Sequence, residues 1–318
     1  MPNKIFNRSF FQAQEVGIFI SLILLSLIIG FVNSAFWNAG NLIEILRSIS
    51  FMVIVGVGET LVLISGGLDL SVGSILAVGG VISGLALVNQ LPITLALFFG
   101  MLSGLLLGWL NGFIITRFKI PPLITTLGML YVARGIVLVI TKGRPLYPFP
   151  DAFNAMGQGS FGGIPYVVFF MIVFAIAAHW VLNYTTLGRS IYAIGGNEQT
   201  ARTSGIDVDR IKLITYSIAG LMSGITGILM AARLSSAQSN AGTGWELTVI
   251  ASVIIGGTSM FGGAGSILGT LIGAALMAVI TNGMVLMNVS VYWQNIVVGI
   301  IIVVAVGLDQ YRKMKLSA

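Results

Sequence analysis

The sequence predicts an all-α polytopic membrane protein, and three observations carry the prediction. Hydrophobic residues make up 56% of the chain and charged residues only 8%, against roughly 25% charged in a soluble domain. The mean hydropathy is +1.00. The apolar runs approach the roughly 20 residues that a span requires, and they do not alternate in polarity as barrel strands do. Backbone groups in lipid must bond within their own element, which leaves helices. The whole of 1–318 reads as one transmembrane domain with a polar loop at about 184–212.

The expected spans are 16–36, 42–65, 68–88, 93–116, 123–141, 164–183, 213–232, 246–260, 266–287 and 292–308. The first follows Lys4 and Arg8 like a signal peptide. It is long and lacks a small-residue cleavage site, so an uncleaved span is expected. The second opens on Glu44 and Arg47, which shortens its apolar core. The third and eighth are glycine-rich or short and are expected to be broken or re-entrant, as irregular backbone is tolerated where protein or a cavity surrounds it. With both termini cytoplasmic, the cytoplasmic segments hold Lys4, Arg8, Arg117, Lys119, Arg189, Arg202, Arg210, Lys212, Arg312, Lys313 and Lys315. That is eleven of the sixteen basic residues, as the positive-inside rule expects, and it favours ten spans over nine.

The same clustering explains the net charge of +6 as topology and gives no reason to invoke nucleic acid. No cysteine is present, which excludes disulfides, thiol catalysis and cysteine-bound metal. The single histidine, His179, has no second histidine to share a metal. No Ser/His/Asp set or paired-carboxylate arrangement points to catalysis, and no metal site is expected. No G-x-x-x-x-G-K-[ST] occurs, so the chain lacks a nucleotide-binding loop of its own.

The largest polar surface is Gly188–Lys212, GRSIYAIGGNEQTARTSGIDVDRIK. Asn197 suits an N-cap, Glu198 the positive end of a helix dipole and Gly205 the C′ position, so a short helix over roughly 197–204 is expected. It is either a docking helix for a soluble partner or an ordinary loop helix. Asp69, in GGLDLSVGS at 66–74, either faces a pathway or, with Ser71, caps a helix at the cytoplasmic interface, and the cap is preferred. Glu59 is expected to meet a helix terminus or Arg134. Pro121-Pro122 breaks one helix and starts the next. Gly104, Gly108 and Gly112, spaced by four, predict a close helix approach. Ile64–Gly80 and Ile255–Gly269 resemble one another, each with a glycine pair followed by Gly-Ser-Ile-Leu, either as duplicated halves of a transporter or because glycine-rich sequence matches itself by chance.

Five blocks together resemble the permease subunit of bacterial ABC importers for monosaccharides, the ribose-type family. They are ISGGLDLSVGS (64–74), NGFIITRFKIPPLITTLGM (111–129), GRSIYAIGGNEQTARTSGI (188–206), ELTVIASVIIGGTSMFGGAGSILGTLIGA (246–274) and NGMVLMNVSVYWQNIVVGIII (282–302). The resemblance implies a bacterial inner-membrane location, a second permease copy or homologue, and two cytoplasmic ATPase subunits. It also implies a periplasmic or extracellular sugar-binding protein. ATP would be used by the partner, with no cofactor bound by this chain. It also implies that Gly196, Asn197, Glu198, Thr200, Ala201, Arg202 and Gly205 contact the ATPase. Relatives often carry paired alanines where this chain has Thr200-Ala201. Polarity near span ends nominates Asp69, Asn111, Thr125, Thr126, Asn282, Trp293, Gln294 and Asn295 for the sugar path, each equally open to a packing role. The competing readings are import of another solute, such as a branched-chain amino acid or a nucleoside, and a proton-coupled carrier using Asp69 or Glu59.

Overall fold

A computed structural model describes residues 8–317. Lys4 and the basic side chains at 312–315 lie outside the described residues or side chains, and the expected placement of the termini with them. The helices run in the order α1 (Arg8–Val32), α2 (Ala39–Ile64), α3 (Val72–Val88), α4 (Ile93–Phe118), α5 (Pro122–Thr141), α6 (Asp151–Gln158) and α7 (Tyr166–Tyr184). There follow α8 (Thr186–Gly196), α9 (Glu198–Thr203), α10 (Val208–Leu234), α11 (Trp245–Ile255), α12 (Ile267–Leu286) and α13 (Val291–Ser317). A two-residue antiparallel hairpin, Ser160–Phe161 with Ile164–Pro165, joins α6 to α7. The chain is thus an all-α, multi-pass membrane protein. Among the described residues seven helices are long and apolar enough to cross a membrane, and α3, α11 and the described part of α13 are shorter apolar helices.

Each expected span overlaps one of these ten helices. The third and eighth are shorter than expected, because 65–71 and 256–266 leave the helix and turn on glycine. Gly66, Gly257, Gly262 and Gly263 hold φ of 79°, 95°, 85° and 77° there, a region that side chains with a Cβ avoid.

Helix α2 is the central post, buried from Ser50 through Ile64. Helix α4 lies against α10 through glycine, as the spacing of four predicts. A Cβ on Gly104 would overlap the Gly220 carbonyl, one on Gly108 that of Tyr216, and one on Gly112 would stand 2.8 Å from the Leu213 Cα. Backbones meet there without an intervening layer of side chains. The Lys119–Pro121 turn is as expected: Lys119 ends α4 in the left-handed region (φ 56°) and Pro122 is the first residue of α5. At the opposite end of the bundle, Glu44 bonds Arg47 at 2.8 Å and also Arg233, and Arg47 donates to the Gln158 carbonyl at 3.3 Å. This network accounts for three of the charges on span ends.

Candidate coupling and translocation sites

Helix α9 begins as its sequence requires. The Asn197 side chain accepts from the Thr200 N–H at 2.9 Å. At its other end Gly205 takes φ 86°. The Gly205 N–H donates to Arg202 O and the Ile206 N–H to Ala201 O, both at 3.1 Å, which is the Schellman pairing that satisfies the last carbonyls. Ala201 is buried among Ile194, Ile206, Val208 and Ile211. Its side chain therefore fixes α9 to the bundle. Gly196, Asn197, Glu198, Thr200, Arg202 and Gly205 are exposed.

An ion network braces the same face. Lys212 bonds Glu198 at 2.6 Å, Arg202 reaches Glu198 at 3.5 Å and Asp209 at 2.8 Å, and Lys119 bonds Asp209 at 3.0 Å. Partial burial alone would raise the Glu198 carboxyl, but the bonds from Lys212 and Arg202 hold it below its ordinary value. The pairs of Arg202 and Lys119 are exposed and contribute little in water, while Lys212 is largely buried beneath Glu198; together they fix the outline of the α9 face.

Beneath α9, the end of α8 touches both glycine turns. A Cβ on Gly195 would overlap the Ile64 carbonyl and the Gly263 N–H. The Gly263 N–H itself donates to Ile64 O at 2.9 Å. Tyr192 adds a bond from its hydroxyl to Gly265 O at 2.8 Å. Burial and the nearby Glu15 carboxylate push that hydroxyl up to about 12, so it remains a donor. Thus the two look-alike glycine segments converge on the element that carries the exposed helix.

The first turn encloses a buried polar cluster. Asp69 Oδ1 accepts from the Ser71 N–H at 2.8 Å and the Ser71 hydroxyl at 2.5 Å, and Asn111 donates to Ser71 Oγ at 2.8 Å. The Asp69 N–H donates to Glu59 at 3.2 Å. Tyr216 closes the group: its hydroxyl accepts from the Leu68 N–H at 3.2 Å. Glu59, Asp69, Ser71 and Asn111 are all fully buried. The preferred interfacial cap is therefore corrected. Ser71 sits at the N-cap of α3 without a side-chain cap bond, since its hydroxyl is already given to Asp69. Glu59 meets backbone just ahead of α3, not Arg134.

The other path candidates disperse. Thr126 donates to Leu68 O at 3.3 Å, which places it next to the cluster, and Thr125 is buried on the same helix, α5. Asn282 instead pairs reciprocally with Asn41, at 2.7 and 3.1 Å, and joins α12 to α2. Gln294 donates to Val289 O at 3.1 Å within its own turn, and Trp293 and Asn295 are exposed on α13. Arg134, expected opposite Glu59, instead donates to the carbonyls of Ser239 and Ala241 at 3.1 and 2.9 Å, a segment that the sequence reading missed. The signal was available in Ser-Ser-Ala-Gln-Ser-Asn at 235–240, a polar run inserted between two apolar helices.

The sequence profile of the family described as "Branched-chain amino acid transport system / permease component" matches residues 41–306, which takes in every element of both sites. The chain belongs to this permease family. The permease is 41% identical to the ribose import permease protein of Haemophilus influenzae over 93% of each chain. It is 39% identical to that of Escherichia coli K12 over 98% of this chain and 97% of the relative. It is 37% identical to the D-allose transport system permease protein of Escherichia coli K12, over 96% and 94%. No solved structure matches the permease.

Proposed function

We propose that the permease is the membrane-spanning subunit of an ATP-driven importer that carries a ribose-like monosaccharide inward across the bacterial cytoplasmic membrane. The observation that carries this reading is identity of 39–41% to ribose import permeases over nearly the full length of both chains. The α9 face serves as the docking helix for a cytoplasmic ATPase subunit, through Asn197, Glu198, Thr200 and Arg202. That end of the bundle, and both termini, lie in the cytoplasm, where most of the basic residues then fall. A second permease copy or homologue completes the pore, and a binding protein outside delivers the sugar. The chain itself binds no cofactor; ATP is used by the partner.

Tagged permease extracted in mild detergent is expected to co-purify an ATPase subunit. The reconstituted complex is expected to take up ribose only with ATP and the cognate binding protein. A permease that comes out alone and still moves solute would overturn the reading. The family description, naming branched-chain amino acids, favours a second reading in which another small polar solute is carried. A panel of labelled solutes offered to the same vesicles separates the two.

A further inference from the structure

The segment 235–244, between α10 and α11, is polar, irregular and set deep in the bundle. It leaves α10 through Ser235 in the left-handed region (φ 51°). Ala237 pairs with Leu146 at 3.0 and 3.1 Å, and the chain then turns inward under the Arg134 bonds to Ser239 O and Ala241 O. Arg134 stands two turns, about 10 Å, before the end of α5. Further in, Gly242 (φ 67°) rests directly on the backbone of Gly73 at the start of α3. The stretch of α3 from Gly73 to Val88 covers about 23 Å of helix, most of a hydrocarbon core about 30 Å thick.

Irregular backbone does not face lipid at such depth. Yet Asn240, Thr243 and Gly244 are exposed on the single chain, so they meet either water or protein. The Thr243 hydroxyl donates to the Asn240 carbonyl at 2.8 Å, while the Asn240 side-chain amide makes no hydrogen bond among the described residues. The half-buried Glu246 carboxylate follows, against Gly73. An amide, a hydroxyl and a carboxylate in one short stretch suit a polyol, which both donates and accepts. The core of a protein interface is instead depleted of charge.

We propose that 238–246, braced by Arg134, forms a stretch of the passage wall, with Asn240 and Thr243 touching the monosaccharide in transit. This rests on the importer reading above.

The chain has no cysteine, so single cysteines report cleanly. Asn240→Cys, Thr243→Cys and Ile176→Cys, the last at an exposed apolar site on α7, are placed in the assembled complex in vesicles. They are treated with a permanently charged thiol reagent. We expect Asn240→Cys and Thr243→Cys to react at least about tenfold faster than Ile176→Cys, because lipid excludes the reagent. We also expect modification at 240 and 243 to block uptake, and the sugar to slow labelling. Reaction no faster than at Ile176→Cys, or reaction only after the complex is dissociated, would overturn the proposal and assign the segment to an interface. Fast reaction that leaves uptake intact would also overturn it. A wild-type complex that moves no monosaccharide fails the importer reading instead; the wall is then judged by whether labelling blocks whichever solute is moved.

Discussion

The Gly195 α-carbon lies so close to the Ile64 carbonyl that no methyl group fits between them. Its neighbour Gly196 has open space around it. The pair supplies a matched test of whether α9 acts on the membrane helices through the glycine turns. Gly195→Ala must push backbone aside, at about 1–3 kcal/mol, and uptake is expected to fall severely while the ATPase subunit still co-purifies. Gly196→Ala displaces nothing within the chain and is expected to lower uptake far less than Gly195→Ala. Equal uptake by the two variants would remove Gly195 from the coupling route.

Asn197→Ala removes the bond to the Thr200 N–H and should destabilise α9 by about 1 kcal/mol. Recovery of the ATPase subunit on purification should drop, and Asn197→Asp, which keeps the cap, should restore it. Undiminished recovery with Asn197→Ala would mean that docking does not depend on this helix end.

Asp69→Asn keeps an oxygen able to accept both Ser71 bonds, so uptake is expected to persist. Asp69→Leu leaves the Ser71 N–H and hydroxyl buried without an acceptor, at about 1–3 kcal/mol for each group, and should lower the melting temperature and uptake together. Loss of uptake in Asp69→Asn with unchanged melting would argue for a carboxylate that carries protons, and so for a secondary carrier.

The pH response of the α9 face follows from Glu198. Its folded-state carboxyl lies below the ordinary value, so the stabilisation from Lys212 and Arg202 is fully present above the ordinary carboxylate range. It is lost only as pH falls through the depressed value. ATPase association measured from neutral to mildly acidic pH should therefore be flat on this account. The Glu198→Gln variant should associate more weakly throughout. A wild-type midpoint near neutrality would assign the titration to another group.

Gly108→Ala should lower the melting temperature in detergent, because its Cβ meets the Tyr216 carbonyl and overpacking costs about 1–3 kcal/mol. Gly128→Ala, with open space on α5, should be neutral or slightly stabilising. A reversed order would mean that the α4–α10 contact is looser in solution than described here.

What could be read from sequence was what local chemistry decides. Asn197 and Gly205 announce a capped helix because capping involves residues a few positions apart. Gly104, Gly108 and Gly112 announce a close approach because their spacing puts them on one face. The five sequence blocks likewise pointed to the family. What stayed hidden depends on partners far along the chain. Nothing near Asn282 foretells Asn41, and nothing near Gly195 foretells Ile64 and Gly263. An apparent turn between two spans points Asp69 to the surface, whereas 65–71 folds inward and buries it. Arg134 looked like a partner for a carboxylate, but the inward run of 239–241 offered it two backbone carbonyls first.

The glycine seam between α4 and α10 has a mechanical consequence. Side chains slide past one another by changing rotamer, but two backbones in direct contact have no such layer to shear. These helices are therefore expected to travel as one strut through the transport cycle. Any change of access must then be taken up around the strut, with α8 and the glycine turns moving against it on one side and the inward-dipping segment after α10 on the other.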